Sequence, residues 1–233
     1  MWLFGSKTSL LQAGVLRGWT DWHSHILPGV DDGIRSLEDS LAVLKWYEAQ
    51  GVREVWLTPH IMEDIPNRPA ELQARFAELQ AAYAGPVALH LAAEHMLDPL
   101  FSERLAAGEV LPIGPDGDML LVETSYFNPP MDLEGMLESV RTRGFRPLLA
   151  HPERYVYMEM KDYQRLASAG VALQLNLPSL AGAYGEDVRR KAADLLRAGL
   201  YDRCGSDLHR LSHFQRALSE RTIPQKLLPS LPL

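Results

Sequence analysis

The sequence has little cysteine and no long apolar run, and each shortage excludes a class of protein. Its 233 residues include one cysteine, Cys204, so neither an internal disulfide nor a zinc site built from thiolates can form. Any bound metal must therefore be held by histidine and carboxylate side chains. No apolar run approaches the roughly 20 residues of a membrane-spanning helix. We therefore expect no membrane span.

The sequence also lacks an excess of basic residues. It has 23 Lys and Arg residues against 30 Asp and Glu residues, which corresponds to a formal net charge of −7. No segment is rich in Lys or Arg, whereas proteins that bind a nucleic-acid backbone usually carry such a segment or patch. We therefore expect no nucleic-acid partner.

Residues 1–18 precede the first predicted strand and are interpreted as a short N-terminal leader. Residues 2–4 are apolar, but Gly5 and the three residues after it interrupt the run. A secretory signal requires an uninterrupted apolar core of about 7 to 15 residues. We expect the leader to pack on the domain and the protein to be cytoplasmic.

From residue 19 onward, β-rich apolar runs alternate with amphipathic helical stretches, most of which end at a glycine. Ser36 and Asp39, for example, have the spacing of a capping box, and Gly51 ends the helix that they begin. Strands are predicted over 19–23, 52–60, 87–94, 119–124, 147–151, 171–176 and 201–206. Further helices are predicted over 69–83, 99–107, 133–143, 161–169 and 186–198.

About seven βα repeats imply parallel strands joined by right-handed crossovers. Two α/β architectures satisfy this pattern, an open doubly wound sheet and a closed barrel. The first strand is not followed by the glycine-rich loop of a dinucleotide-binding sheet. No linker divides the chain. The sequence therefore favours a single barrel-like α/β domain over 19–233.

Polar side chains collect at the carboxyl end of six of the predicted strands. In barrel enzymes this end forms the active site, so residues far apart in the sequence meet there. The segments at these ends are Asp21 to His25, Thr58 to His60, Ala93 to His95, Val122 to Thr124, His151 to Arg154 and Ser206 to His209.

The spacing within these segments suits a metal. In an extended chain, residues i and i+2 point to the same side, so His23 and His25 can present two imidazoles to one ion. Asp207 and His209 can present a carboxylate and an imidazole in the same way. Mixed histidine and carboxylate ligands favour zinc, manganese or iron over calcium. Three histidines are placed outside the site: His90, His95 and His213.

The ordered series of motifs resembles the polymerase and histidinol phosphatase (PHP) superfamily, and within it the bacterial tyrosine phosphatases of capsule and exopolysaccharide operons. The segments that carry the resemblance span nearly the whole chain after residue 20. They are His23 to Gly33, Thr58 to His60, Ala93 to Glu94, Val122 to Ser125, Ala150 to Tyr155 and Ser206 to His209.

The resemblance implies a distorted (β/α)7 barrel of the TIM-like PHP fold with three divalent metal ions. Manganese is the expected metal, with iron, zinc or cobalt as alternatives. The implied ligands are His23, His25, Glu94 and Asp207 for one ion, Glu94, Glu123 and His151 for the second, and Asp32, His60 and His209 for the third. Arg154 matches the catalytic arginine that contacts the phosphoryl group.

The function implied by the resemblance is hydrolysis of phosphotyrosine by attack of a metal-bound hydroxide. The expected partner is a tyrosine-phosphorylated protein, in particular a membrane-associated tyrosine kinase of polysaccharide synthesis and export. Tyr126, Tyr155 and Arg210 are further candidate substrate-binding residues, because each lies next to or close behind a predicted ligand. The sequence leaves the oligomeric state open.

Three alternatives compete with this prediction. Cys204 and Arg210 fit the Cys-x5-Arg pattern of cysteine-dependent tyrosine phosphatases. Asp207 inside that loop would repel a phosphate dianion, so metal-dependent chemistry is favoured. A small-molecule phosphatase, such as one acting on histidinol phosphate, or a phosphodiesterase acting on nucleic acid would use the same metal site. The acidic balance of the sequence argues against the phosphodiesterase. A metal-stabilised interaction module without activity is the third alternative.

Overall fold

Strands and helices alternate along the chain, as the sequence pattern predicts. The computed structural model describes residues 6–233. Within them the strands are β1 (Lys7–Ser9), β2 (Thr20–Ser24), β3 (Glu54–Leu57), β4 (His60–Ile61), β5 (Ala88–Leu91), β6 (Glu94–Met96), β7 (Met119–Glu123), β8 (Arg146–Ala150), β9 (Ala172–Asn176), β10 (Arg203–Gly205) and β11 (Thr222–Pro224). The helices are α1 (Leu37–Gln50), α2 (Pro69–Ala82), α3 (Phe101–Ala107), α4 (Leu133–Thr142), α5 (Met160–Ser168), α6 (Leu177–Leu180), α7 (Glu186–Arg197) and α8 (Leu211–Glu220).

Helix α1 begins and ends at the capping residues that the sequence predicts. The Ser36 Oγ accepts a hydrogen bond from the Asp39 backbone N–H at 3.1 Å, which satisfies one of the free donors of the first turn. At the other end Gly51 has φ +77°, a left-handed conformation that glycine adopts without steric cost. The chain then turns back toward the sheet.

Nine of the strands form a curled parallel sheet system. Six strands pair in the order β10-β9-β8-β7-β6-β4, and three pair in the order β2-β3-β5. Beyond β10, the backbone N–H groups of Ser206 and Asp207 donate to the His23 carbonyl oxygen at 3.1 and 2.7 Å, which joins this segment to β2. The result is a mixed α/β single-domain fold in which the carboxyl ends of the strands lie together.

The strands predicted over 52–60 and 87–94 are each divided in the structure. β3 and β5 pair with each other beside β2, whereas β4 and β6 pair with each other beside β7. The first break falls at Thr58 and Pro59, where proline has no N–H to give to a ladder. After the break, His60 and Glu94 lie in register on neighbouring strands. The division therefore brings two predicted ligands side by side.

The side chains of each strand alternate between the inside of the curled sheet and the layer beneath the helices. Along β7, Met119 and Leu121 belong to an inner apolar cluster with Trp56, whereas Leu120 and Val122 pack in the outer core. This period of two places the next odd-numbered residue, Glu123, on the inner side. The inner side is thus apolar along its length and polar at the carboxyl ends.

The N-terminal segment packs against the C-terminal part of the chain. β1 pairs antiparallel with β11, and Leu10 and Leu16 are buried in the outer core. Of the predicted leader, residues 1–5 lie outside the described residues. None of the helices among residues 6–233 has the length and apolar content needed to cross a membrane.

Candidate active site

All nine predicted metal ligands meet at the carboxyl ends of the strands. They fall into four overlapping groups whose ligand atoms lie within 4.8 Å of one another. The nine side chains come from β2, β4, β6, β7 and the segments after β2, β8 and β10: His23, His25, Asp32, His60, Glu94, Glu123, His151, Asp207 and His209.

The four residues expected to share one ion face a common point. The Nε2 atoms of His23 and His25 are 3.1 Å apart. Both lie close to Glu94 Oε2, at 3.2 and 3.3 Å, and to Asp207 Oδ1, at 3.6 and 3.4 Å. Ligand atoms about 2.0–2.2 Å from one ion are separated by roughly 3 to 3.6 Å. His23, His25 and Asp207 form one group that could hold a cation, and Glu94 forms a second, overlapping group with His23 and His151.

The members of the second and third expected sets also lie close to one another. His151 Nε2 is 3.0 Å from Glu94 Oε1 and 3.8 Å from Glu123 Oε2. Asp32 Oδ1 is 3.3 Å from the Nε2 of His209.

His60 joins these two sets. Its Nε2 is 3.6 Å from Asp32 Oδ1, and its Nδ1 is 3.1 Å from both Glu94 Oε2 and Glu123 Oε1. The atoms His60 Nδ1, Glu94 Oε2 and Glu123 Oε1 are buried, yet none of them has a hydrogen-bond partner among the described residues. Buried polar atoms without a partner are costly, and a cation between them would satisfy all three. The donor set therefore fits bound metal.

Two of the predicted ligands have an unusual backbone. His151 and Asp207 have φ of +34° and +50°, and they are the two non-glycine residues with positive φ among those described. Such conformations are uncommon for residues with a side chain, and they concentrate at functional sites. In both cases the turn directly follows a strand and directs the side chain into the cluster.

The carboxylates control the protonation of the imidazoles. Burial lowers the pKa of His60, but the carboxylates of Glu94 and Glu123 outweigh burial and raise that pKa to about 10. For Asp32 the largest effect is the hydrogen bond from His209, and the pKa falls to about 2. The cluster thus favours positive charge, and divalent cations compete with protons for the same imidazole nitrogens.

Three further side chains hold the ligands in place, and two of them, Gln174 and Asn176, were missed by sequence reasoning. Asp31 Oδ2 accepts a hydrogen bond from His25 Nδ1 at 2.7 Å, and Gln174 Oε1 lies 2.8 Å from His23 Nδ1. Asn176 Nδ2 donates to Asp207 Oδ2 at 3.1 Å. Such partners fix the orientation of ligand side chains. The available signal was the presence of two amides, at i and i+2, in the otherwise apolar sixth predicted strand.

Arg154 lies between two aromatic rings beside the metal cluster. Its Cζ is 4.3 Å from the centre of the Tyr126 ring and 4.4 Å from that of Tyr184. One Nη1–H donates to Asp207 Oδ2 at 2.6 Å. Burial lowers the pKa of Arg154, but Asp207 and the tyrosines outweigh burial and raise it. The guanidinium is thus charged and held flat by stacking.

A cleft of about 730 Å³ opens onto this arrangement. Three of the four predicted substrate-binding residues line it, namely Tyr126, Arg154 and Arg210. The fourth, Tyr155, does not. Its side chain is fully buried, and its hydroxyl donates to the Ala150 carbonyl oxygen at 2.9 Å.

Several residues that were not predicted at the site also line the cleft, among them Tyr184 and His213. His213 lies on α8, the surface helix that follows the last ligand. The other two excluded histidines lie elsewhere. His90 stacks on Trp56, and the buried His95 accepts a hydrogen bond from the Leu111 backbone N–H at 3.3 Å.

Cys204 is unsuited to act as a nucleophile. It lies in β10 and is fully buried, and this burial raises the pKa of its thiol well above the ordinary value. A reactive cysteine requires an accessible thiolate. The cysteine-dependent alternative therefore has no support in the geometry.

Comparisons with known proteins agree with this geometry. The family described as "Capsular polysaccharide synthesis, CpsB/CapC" matches residues 19–222. The tyrosine-protein phosphatase YwqE of Bacillus subtilis (strain 168) is 28% identical over 210 residues, covering 85% of this chain and 82% of YwqE. The tyrosine-protein phosphatase CpsB of Streptococcus pneumoniae is 31% identical over 206 residues, covering 82% of this chain and 83% of CpsB.

A solved structure extends the likeness to the fold. It comes from work on YwqE of Bacillus subtilis and CpsB of Streptococcus pneumoniae, described as unique metal-dependent tyrosine phosphatases, and it superposes with a TM-score of 0.77. The identity is 27%, and the match covers 86% of this chain and 85% of the other. This chain therefore belongs to the CpsB/CapC family of capsular polysaccharide synthesis.

Proposed function

We propose that this protein is a metal-dependent protein-tyrosine phosphatase built on a distorted (β/α)7 barrel of the PHP type. The observation that carries the proposal is a charged, ring-stacked arginine, Arg154, that shares a cleft with a cluster of histidine and carboxylate ligands. The proposal is also supported by relatives that are named tyrosine-protein phosphatases and that align with more than four-fifths of this chain.

Three sets of side chains would hold three divalent ions, manganese in our proposal. By the family resemblance, His23, His25, Glu94 and Asp207 would bind the first, Glu94, Glu123 and His151 the second, and Asp32, His60 and His209 the third. All nine residues belong to the overlapping ligand groups of the structure. Bound divalent ions would lower the pKa of a water molecule and offset the negative charge of the phosphoryl oxygens.

Arg154 binds the phosphoryl group in this proposal. A guanidinium offers a planar pair of N–H donors that matches two phosphate oxygens, and it keeps its charge at any physiological pH. Stacking between Tyr126 and Tyr184 limits its rotation, so less entropy is lost when the phosphoryl group binds. The ion pair with Asp207 fixes its distance from the metal cluster.

The leaving group of phosphotyrosine needs little help from an acidic group of the protein. The phenol has a pKa of about 10, so a phenolate leaves without full protonation by an acid, unlike an alkoxide. Arg210, also on the cleft wall, is a second proposed contact for the substrate.

The proposed substrate is a tyrosine-phosphorylated protein in the cytoplasm. The family description, capsular polysaccharide synthesis, supports a membrane-associated tyrosine kinase of polysaccharide synthesis and export as that protein. Dephosphorylation would then regulate the kinase.

The experiment is a direct comparison of substrates with purified protein and manganese. A phosphotyrosine peptide, histidinol phosphate and a nucleotide diester are offered at equal concentration, and phosphate or nucleotide release is measured. We expect the peptide to be preferred. Preference for histidinol phosphate would reassign the substrate, and no hydrolysis of any ester would favour the interaction module.

Two variants test the site, and the first has a control outside the cleft. His23→Ala removes a predicted ligand and should abolish hydrolysis, whereas His90→Ala, which lies away from the cleft, should not. Arg154→Lys keeps the charge but loses the planar fork, so we expect kcat/KM to fall about 10- to 100-fold. Full activity of Arg154→Lys would contradict the proposed role of the arginine.

A further inference from the structure

The cleft continues past the metal cluster along α8, and this extension is rich in positive charge. Arg210, Arg216 and Arg221 line it, and Glu220 is the one acidic lining residue apart from the predicted ligands. The whole chain carries a net charge of −7, so the sign of this surface is opposite to that of the protein. A local excess of positive charge in a cleft raises the concentration of anions there.

The arginines are available to a ligand. All three are exposed, and the side chains of Arg210 and Arg216 form no ion pair or hydrogen bond with any residue between 6 and 233. Arg221 donates one bond, from Nη1 to the Gly182 carbonyl oxygen at 2.6 Å, which joins α8 to the opposite wall of the cleft. Phe214 and Leu218 belong to the buried face of α8, and the arginines lie on its solvent side.

The spacing of the arginines matches a short peptide. Arg210 and Arg221 flank the two ends of α8, and Arg216 lies between them. At about 1.5 Å of rise per residue, Arg216 is roughly 9 Å and Arg221 roughly 16 Å along the helix from Arg210. An extended peptide covers about 3.3–3.6 Å per residue, so Arg216 and Arg221 lie about three and five peptide residues from Arg210. Arg210 directly follows the predicted ligand His209 and therefore marks the end of the extension nearest the metal cluster.

We infer that this extension binds a second anionic group of the substrate, a carboxylate or a further phosphate, three to five residues from the phosphotyrosine. The inference rests on the proposed function, because the phosphotyrosine must occupy the metal cluster for the neighbouring residues to reach α8. The protein then selects phosphotyrosines that lie in acidic or multiply phosphorylated segments.

The test uses three kinds of peptide, all of equal length and each with one reacting phosphotyrosine. One has neutral flanks, one carries glutamate at a single position three to five residues away, scanned on both sides, and one carries a second phosphotyrosine at the best of these positions. For the protein without substitutions we expect kcat/KM to be about two- to fivefold higher for a peptide with an anionic flank at low salt. The preference should shrink at high salt, since exposed charges are screened.

Substitutions at Arg216 identify the source of the preference. Arg216→Glu should remove or reverse it and Arg216→Lys should retain most of it, while the thermal unfolding temperature stays unchanged. Arg143→Glu is the matched control, because Arg143 is an exposed arginine at the end of α4, outside the cleft. This control should keep the full preference.

The outcomes separate the inference from the proposed function. If the neutral peptide is hydrolysed but no anionic flank is preferred, or if Arg216→Glu behaves like Arg143→Glu, the inference is wrong and the phosphatase proposal stands. If no phosphotyrosine peptide is hydrolysed, the proposed function itself fails. Preference for the glutamate peptide or for the doubly phosphorylated one tells which anion the arginines bind.

Discussion

Replacing Asp31 by asparagine is expected to weaken metal binding although Asp31 is not a predicted ligand. The Asp31 side chain is fully buried, and its Oδ2 accepts hydrogen bonds from His25 Nδ1 at 2.7 Å and from the His60 backbone N–H at 3.1 Å. Its Oδ1 accepts from the Gly33 N–H at 2.9 Å. Burial raises the pKa of Asp31, but the charge of His25 outweighs burial and lowers it, so the group is an anion at neutral pH.

The size of the effect follows from these three bonds. Asparagine keeps the shape but has one acceptor oxygen, so its amide N–H faces a donor at one of the two positions. A hydrogen bond to a charged group contributes about 1.5–3 kcal/mol and a neutral one about 0.5–1.5 kcal/mol. Partners of ligand histidines typically change metal affinity by about 10- to 100-fold. We therefore expect Asp31→Asn to bind manganese about 10- to 100-fold more weakly.

The assay is a titration of chelator-treated protein with manganese, in which calorimetry measures the affinity. The number of bound ions is counted separately after dialysis. Asp116→Asn is the matched control, since Asp116 is exposed and its side chain forms no hydrogen bond with the described residues. The unfolding transition of both variants in urea shows that each is folded before titration. Equal manganese affinity for Asp31→Asn and Asp116→Asn would refute the reasoning.

Two further predictions concern the buried polar and thiol groups beneath the site. Cys204→Ala should keep phosphatase activity, because the thiol is fully buried and no thiolate is required. A strong chelator should abolish the activity of this variant. A folded but inactive Cys204→Ala protein would contradict the prediction. Tyr47→Phe should lower the free energy of unfolding in urea by about 1.5–3 kcal/mol, since the Tyr47 hydroxyl donates to the buried Asp21 Oδ2 at 2.6 Å. A change below about 0.5 kcal/mol would show that the remaining donors, from Ser206 and the His23 backbone N–H, are sufficient for Asp21.

Much of the candidate site was predictable because its residues lie at the ends of strands. A parallel βα fold brings the carboxyl ends of its strands together, so residues as far apart as His23 and His209 were expected to meet. The structure brings all nine predicted ligands into overlapping groups. Their assignment to individual ions stays a prediction, as does the number of ions.

The surroundings of the ligands were harder to predict. Tyr155 follows a predicted ligand segment and Tyr184 does not, yet Tyr155 is fully buried and Tyr184 lies against Arg154 in the cleft. Which of two such side chains faces the cleft depends on the packing of α6 and α8 around it. No local pattern in the sequence carries that information.

The sequence by itself determined the alternation of strands and helices and the chemistry of the strand ends, because periodicity, helix caps and residue type are local properties. The tertiary structure alone decided which atoms touch. The break after Thr58 brings His60 into register with Glu94, and the inward direction of Gln174 follows from the register of β9 with its neighbours. Register between strands depends on the whole curled sheet, so the partners of the ligands appear only once the chain has folded.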